Sequence, residues 1–202
     1  MNEVVFFDYA ELTKAVKAFL KQYLQPSINP NAILWGNQNN VALPAGTNEY
    51  CIFYIMNQIR HGTNIERYDP DEETLKVSES SEIIVKVDCY ASSENGKSGL
   101  NAQIRAHNLE LMTRSSVSCE FFKKFGLSPL YADSPIDTTI VSDSNNYLHR
   151  WTVNLHLNFT NSLTVKQEGF TEVKPIKPNS IASSPEDIGL HICNPDVKFS
   201  NN

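Results

Sequence analysis

The sequence predicts an α/β protein of the α+β type, with about three helices packed on a mostly antiparallel sheet and an extended C-terminal arm. Two segments alternate apolar and polar residues at the period of a strand, and others repeat apolar residues at helical spacing. Residues 166–202 show neither period. The length of 202 residues fits one domain with an appendage, because two full domains need a longer chain.

The first element is predicted to be a helix over residues 9–24. Asp8 followed by Glu11 is a capping-box pattern, and Gln25-Pro26 ends the segment. Between them, apolar side chains recur at helical spacing: Leu12, Val16, Phe19, Leu20 and Tyr23. The opposite face carries Lys14, Lys17 and Lys21, which we expect to face water.

Two strands are predicted next, over residues 50–60 and 81–91. The first is too apolar and aromatic for a surface loop. The second alternates, with Ile83, Val85, Val87 and Cys89 on one face and Ile84, Lys86, Asp88 and Tyr90 on the other. One buried and one partly wet face favours an antiparallel sheet. Between the strands, residues 63–81 are polar and acidic, with a turn expected at Asp69-Pro70-Asp71.

The second half of the domain is predicted to hold two helices and a hairpin. Apolar residues at helical spacing predict a helix over 100–112, in which His107 is expected to be a satisfied core or interface residue. A shorter helix runs from Ser116 to a stop at Gly126. Strands over 136–142 and 147–159 flank a hairpin turn at 143–146. On the second strand, alternation separates two faces. One face carries His149, Trp151, Val153, Leu155, Leu157 and Phe159, and the other carries Leu148, Arg150, Thr152, Asn154, His156 and Asn158.

From about Val165 the sequence loses its periodicity and becomes rich in Pro, Ser and Asn. We therefore divide the chain into a domain over residues 1–165 and an extended, Pro-containing arm over 166–202. Composition alone is typical of a disordered tail, and chain ends fray unless something holds them. We expect a partner surface to hold this arm, with four apolar residues as interface anchors: Phe170, Ile181, Ile192 and Phe199.

Composition and charge exclude several classes of protein. Seventeen basic and 23 acidic residues give a net charge of −6, whereas duplex-DNA binders cluster Lys and Arg against the phosphates. No apolar run approaches the ~20 residues of a membrane helix. The start of the chain lacks a signal-peptide pattern, so we expect a protein made and kept inside a cell. The four cysteines form no CxxC pair and predict neither a zinc ribbon nor a disulfide framework.

Residues 91–98, ASSENGKS, fit a permissive phosphate-loop pattern between a strand and a helix. In that interpretation Lys97 pairs with a phosphate and Ser98 holds magnesium. Three observations argue against it. Glu94 places a carboxylate in the anion site, the preceding strand has a polar face, and no later strand ends in a suitable metal-binding Asp. A solvated strand-to-helix turn is the preferred interpretation.

No other pattern predicts an active site. The sequence contains no HExxH, no G-x-S-x-G and no His/Cys cluster at metal spacing. His149 and His156 are seven residues apart on one predicted strand, so they face opposite sides and cannot share a metal from that strand alone. We therefore expect no catalytic residue, no metal, no cofactor and no enzymatic activity.

Several features of residues 111–165 occur together in one known group of proteins. They are a helix rich in small and aromatic residues, the turn GLSPLYAD at 126–133, and a hairpin that ends at Arg150-Trp151. An opening helix, a loop with Leu43-Pro44, a strand at 50–59 and a strand–helix unit at 81–112 precede them. In this order the chain resembles the tail-terminator (neck) proteins of tailed bacteriophages, in particular the phage neck terminators. The resemblance covers residues 1–165 and leaves out the arm.

The resemblance implies a structural virion protein, located in the neck at the top of the tail after assembly in the host cytoplasm. It implies a homo-oligomeric ring, usually a hexamer, that ends polymerisation of the tail tube and joins the tail to the head connector. The implied partners are further copies, the tail tube protein and the connector or neck proteins, with the tail sheath as a further candidate. DNA would pass through the channel without specific binding, and no membrane is involved. Two alternatives stay open: another neck, connector or baseplate component, and nucleotide binding at 91–98.

Overall fold

The computed structural model describes residues 3–5, 8–37, 49–92, 99–141 and 147–167. Within these ranges it confirms the predicted class, because three α-helices accompany a mostly antiparallel sheet. The helices are α1 (Tyr9–Tyr23), α2 (Leu100–Thr113) and α3 (Ser116–Lys123). The strands are β1 (Glu3–Val5), β2 (Ile33–Trp35), β3 (Glu49–Asp69), β4 (Thr74–Ser92), β5 (Leu127–Ala132), β6 (Ile136–Asp137), β7 (Ile140–Val141) and β8 (Tyr147–Lys166).

Strand β8 organises the sheet. On one side it pairs with β4 along almost its whole length, and β3 and then β2 follow. On its other side it pairs in succession with the short strands β7, β6, β5 and β1. The β2–β3 pair is parallel, and every other pair between described strands is antiparallel. The long hairpin of β3 and β4 thus lies on one side of β8, and four short strands pair with the other side of β8.

The main core lies on one face of this sheet, and a smaller buried cluster of Ala32, Tyr50, Ile52 and Tyr90 lies on the other. Strands β4 and β8 pair without a bulge from Thr74↔Lys166 to Ser92↔Leu148, so the odd-numbered residues of both strands share a face. These include the predicted core residues of both strands, now seen buried together with the three helices: Ile83, Val85, Val87, Cys89, Val153, Leu155, Leu157 and Phe159. Cys51 and Cys89 are register partners and are both fully buried thiols, as expected of small apolar residues.

Helix α1 begins where the sequence predicts and ends one residue earlier. The Asp8 side chain accepts a hydrogen bond from the Ala10 amide at 2.8 Å, which confirms the N-cap. Glu11 contacts Lys14 at 2.6 Å. The apolar face packs into the core, where the Phe19 and Phe122 rings lie 4.7 Å apart. The aromatic contact joins α1 to α3.

Helix α2 is confirmed by the structure, but its core face is not the apolar stripe that located it. The buried residues are Ala102, Arg105, Ala106, Leu109 and Thr113. The stripe of Leu100, Ile104 and Leu111 lies exposed. The two alanines let the helix backbone come close to the sheet, which bulkier side chains at those two positions would prevent. His107 is half exposed, with its ring 5.7 Å from that of Trp151.

The hairpin of β3 and β4 is much longer than predicted. The predicted strands 50–60 and 81–91 continue to a turn at residues 70–73, next to the expected Asp69-Pro70-Asp71. The polar segment between them is therefore paired strand rather than connection. Its residues lack apolar alternation because that part of the sheet has no buried face, so the sequence carried no strand signal there.

The segment after α3 also differs in detail. Gly126 has φ +69°, as expected for the residue that ends this helix. The predicted strand 136–142 is divided into two short strands, β6 and β7. Between them, Asp137 Oδ1 accepts hydrogen bonds from the Thr139 amide at 2.9 Å and from the Thr139 hydroxyl at 2.6 Å. This Asx turn interrupts the ladder. The predicted turn 143–146 lies outside the described residues.

The last described strand reaches Lys166, and the Gln167 amide donates to the Glu73 carbonyl at 2.9 Å. Residues 168–202 lie outside the described part of the chain, so the division into domain and arm stays a prediction. None of the described helices combines the length and the apolar character needed to cross a membrane.

Candidate assembly surfaces

The outward side of α2 is an apolar surface. Leu100, Ile104 and Leu111 are 63 %, 50 % and 74 % exposed, and we call these three residues the α2 stripe. With 3.6 residues per turn they lie on the side of the helix opposite its buried face. A helix that is apolar on both sides is typical of one buried on both sides. The α2 stripe is therefore a candidate interface.

Arg105 fixes the orientation of this helix. Its fully buried guanidinium donates to Glu49 Oε2 at 2.6 Å and, through Nε, to the Pro26 carbonyl at 2.7 Å. Asn101 donates to the other oxygen of the Glu49 carboxylate at 3.0 Å. These bonds join α2 to the start of β3 and to the segment after α1. Rotation of α2 about its axis would break them, so the α2 stripe is held facing outward.

The second candidate surface is the outer part of the long hairpin, residues 56–80, which we call the β extension. Its β3 half is exposed throughout, whereas residues 81–92 of β4 are almost all buried. Met56 and Ile65 are 60 % and 66 % exposed. The ladder shifts register beside Met56 and again between His61 and Ile65. Such bulges twist an exposed edge, which discourages indiscriminate strand pairing.

The β extension also concentrates negative charge. It carries six carboxylates and three basic side chains, a net charge of −3 out of −6 for the chain. Four of the carboxylates belong to the turn and its flanks: Asp69, Asp71, Glu72 and Glu73. Asp69 accepts hydrogen bonds from the Asp71 and Glu72 amides, which shapes this turn. The result is an acidic tip on an exposed, partly apolar hairpin.

A partly buried polar cluster lies at the base of the β extension, in which Glu82 and His156 are buried and His61 and Asp133 are nearly half exposed. His156 Nδ1 contacts one Glu82 oxygen, and His61 Nε2 lies 2.7 Å from the other. His156 Nε2 is 3.3 Å from Asp133 Oδ1, and the Tyr131 ring stacks on the imidazole at 4.1 Å. We call Glu82, His61, His156 and Asp133 the Glu82 cluster. It links β3, β4 and β8 to the chain that follows β5.

The Glu82 cluster stabilises its carboxylates in the charged form. The hydrogen bond with His156 lowers the pKa of Glu82, burial opposes this, and His61 lowers that pKa further. Asn154 donates to Asp133 at 3.0 Å and, together with His156, lowers the pKa of Asp133. Both carboxylates are therefore acceptors at neutral pH. Since Glu82 and His156 are buried against each other, the arrangement is suited to bracing strands.

A third surface feature lies on α1. Lys14, Lys17 and Lys21 follow one another at helical spacing on the side opposite the buried face, and we call them the lysine stripe. Lys14 and Lys21 are exposed and Lys17 is half-buried. The structure confirms the predicted outward orientation of this face. The outward side of the helical layer thus combines a basic surface on α1 with an apolar surface on α2.

Most residues singled out from sequence motifs lie outside the described residues. This holds for the four arm residues Phe170, Ile181, Ile192 and Phe199, and for positions 93–98 of the phosphate-loop pattern. His149 and His156 do face opposite sides of the sheet, as their register partners Ala91 and Ile84 show. Among the described residues, no three His, Cys, Asp or Glu side chains are placed to hold a metal ion.

The sequence did not reveal the Arg105–Glu49 pair or the Glu82 cluster. Their partners are 56 and 74 residues apart along the chain, so no local period connects them. One signal was present: Arg105 falls between apolar and small residues in the middle of a predicted helix. A buried ion pair is one of the few environments that tolerates Arg there.

Comparisons with known proteins identify the family of this chain. The model of a family described as phage neck terminator protein matches residues 10–183. The match extends beyond the 1–165 range of the resemblance, into the predicted arm. No curated protein gives a significant match. Because the family model spans most of the chain, this protein belongs to the phage neck terminator family and is a structural protein of the phage neck.

Proposed function

We propose that the protein forms a closed ring of its own copies at the head-proximal end of a phage tail. The ring ends polymerisation of the tail tube and joins the tail to the head connector. The observation that carries this proposal is the exposure of large apolar side chains on two separate surfaces, the α2 stripe and the β extension. Apolar surfaces of this kind mark interaction sites.

The two surfaces differ in structure, one being helical and the other a hairpin. An interface between unlike surfaces is heterologous, and it generates a ring when the rotation between copies closes. A two-fold dimer would instead need one self-complementary surface. The resemblance described above suggests six copies. In this proposal the protein acts through shape and assembly, without turnover, and DNA passes through the channel without specific binding.

The mass of the purified full chain in solution, measured over a range of concentrations, tests self-assembly. We expect a monomer at low concentration to convert into one species of fixed size, because a closed ring has no free interface left. A monomer at every concentration, or a continuous ladder of sizes, would contradict the ring.

Electron microscopy of particles assembled without this protein tests its place in the virion. Overlong tails that lack heads are expected if the ring ends the tube and joins it to the head. Complete tails that lack a baseplate would favour the alternative of a baseplate component, and tails of normal length without heads would favour another connector or neck role.

Nucleotide binding at residues 91–98 is a second candidate, because β4 ends at Ser92 and α2 begins at Leu100, which is the strand–loop–helix order that such a site requires. The variant Lys97→Ala separates the two functions. We expect calorimetry to show no ATP binding by either chain. ATP binding by the wild type that Lys97→Ala abolishes would establish the nucleotide site instead.

A further inference from the structure

The outward side of the helical layer presents two kinds of surface on one face of the sheet. Helices α1 and α2 both pack on the face that holds the core. Their outward sides carry the lysine stripe and the α2 stripe. A partner that covers both must therefore supply apolar side chains and negative charge together.

The β extension of the same chain has this combination. Met56 and Ile65 are well exposed, and Ile59 and Tyr68 are partly so. The acidic tip brings four carboxylates within five residues, from Asp69 to Glu73. The basic side chains beside it in the ladder are Arg67 and Lys76 on the same hairpin and Lys166 of β8, which pairs opposite Thr74. Apolar content and charge both complement the helical surface.

We propose that the β extension of one copy docks across α1 and α2 of the next copy, with the acidic tip on the lysine stripe and apolar β3 side chains on the α2 stripe. This inference rests on the proposed ring, and it names the two surfaces that meet. Complementary charge fixes the register of such an interface and disfavours wrong partners.

The dimensions of the two surfaces agree. The exposed part of β3 spans 14 residues, from Met56 to Asp69, or about 40 Å at strand spacing even with its bulges. Helix α1 has 15 residues, or about 22 Å. The extension is therefore longer than helix α1, so it can contact α1 at its tip and still reach beyond that helix. Because each copy offers one hairpin and one helical surface, the same contact repeats around a closed ring.

A charge-swap experiment on the full chain tests this contact. The helix variant is Lys17→Glu with Lys21→Glu, which leaves the Lys14–Glu11 pair intact. The tip variant is Asp71→Lys with Glu72→Lys, which leaves Asp69 to shape the turn. A third chain carries all four changes and keeps the wild-type net charge. Circular dichroism and thermal unfolding test whether each variant folds, which we expect because Lys21, Asp71 and Glu72 are exposed and Lys17 is only half-buried.

Each two-residue variant alone should assemble at least ~10-fold more weakly than the wild type, because like charges then face each other at every interface. An equimolar mixture should restore assembly, since alternating copies pair opposite charges at both interfaces. The four-residue variant should also assemble alone. Wild-type assembly should weaken as salt rises. These results depend on the two surfaces meeting and cannot arise from net charge alone.

Two other outcomes would overturn the inference, and they are distinguishable. If both two-residue variants assemble as the wild type does, the ring stands but other surfaces build it, and the β extension and α2 stripe serve a different neck protein. If the wild type itself stays monomeric at every concentration, the proposed ring fails and this contact fails with it.

Discussion

Arg105 and Glu82 show how buried charges define this structure at the scale of single residues. Arg105 is fully buried between Glu49 and the Pro26 carbonyl. Glu82 is buried between His156 and His61. Removing one member of such a group leaves the other charge without compensation in the interior, which costs more than the pair itself contributes. Both sites therefore lend themselves to mutational tests.

Replacement of Arg105 by Ala should lower the free energy of unfolding by about 3 kcal/mol, because it leaves the half-buried Glu49 carboxylate without its main cation. Urea unfolding at neutral pH measures the loss. Arg67→Ala, an exposed arginine on the β extension, is the matched control and should change the value by less than ~0.5 kcal/mol. Equal effects from the two changes would mean that the buried pair is not what holds α2.

The Glu82 cluster predicts a pH dependence of stability. The pKa of Glu82 is lowered in the folded protein from its ordinary value of 4.5, first by His156 and then by His61. Below about pH 4.5 the unfolded chain therefore binds more protons than the folded one, and the free energy of unfolding falls as the pH falls. The stabilisation is present above that pH and is lost through the folded pKa. Asp133 and Asp137 act in the same direction.

The variant Glu82→Gln should make this decline shallower and lower stability at neutral pH by about 2 kcal/mol. Urea unfolding between pH 6 and pH 3 measures both quantities. Glu72→Gln removes an exposed carboxylate at the hairpin turn and serves as the control. If the two variants gave the same pH profile, the acid sensitivity would not come from the Glu82 cluster.

At the scale of the element, α2 carries two apolar sides with different roles. Its inner side uses small residues and Leu109 to approach the sheet, and its outer side is the α2 stripe. In the β3–β4 hairpin the two roles are divided along the length of the strands. The inner half is buried, and the β3 half of the β extension is exposed. In both elements one part folds the domain, and in the proposed ring the other part contacts a neighbouring copy.

Two leucines on α2 separate these roles. Leu109→Ala should cost about 3 kcal/mol of unfolding free energy, because Leu109 is fully buried. Leu111→Ala should cost less than ~0.5 kcal/mol, since Leu111 is 74 % exposed and Ala favours the helix. Denaturant unfolding measures both. Leu111→Ala should nevertheless weaken self-assembly in the mass measurement; full assembly by that variant would exclude Leu111 from the interface.

At the scale of the whole molecule, charge is distributed unevenly. The β extension holds half of the net negative charge, while α1 presents its lysines outward. A net charge alone mainly affects solubility, but a separation of charge orients association between copies. The predicted arm adds apolar residues at the C-terminus, such as Phe170 and Phe199.

Removal of residues 168–202 tests the predicted arm. The cut follows Gln167, so it spares the hydrogen bond to Glu73 and all of β8. We expect the shortened chain to keep the far-ultraviolet circular dichroism and cooperative unfolding of the full chain, and to assemble more weakly. A shortened chain that fails to fold would show that residues after 167 belong to the domain, and unchanged assembly would exclude the arm from the ring contacts.

The sequence alone determined the features that depend on local periods and caps. The alternation in β4 and β8 identified the core strands, Asp8 and Gly126 marked the limits of helices, and the lysines of α1 were placed outward. These predictions succeeded because each rests on residues that are neighbours along the chain. The resemblance at residues 111–165 likewise pointed to the family that the comparison confirmed.

Only the tertiary structure decided which apolar face of α2 meets the sheet and how far the β3–β4 hairpin projects. The periodicity of α2 allows either face to pack on the sheet. The inner face is fixed by the ion pair between Arg105 and Glu49, which are 56 residues apart along the chain. The polar strands of the β extension are held by the ladder with β8 rather than by a buried face. Pairing between distant segments leaves no local pattern, and it was these pairings that placed the two candidate assembly surfaces on the outside of the molecule.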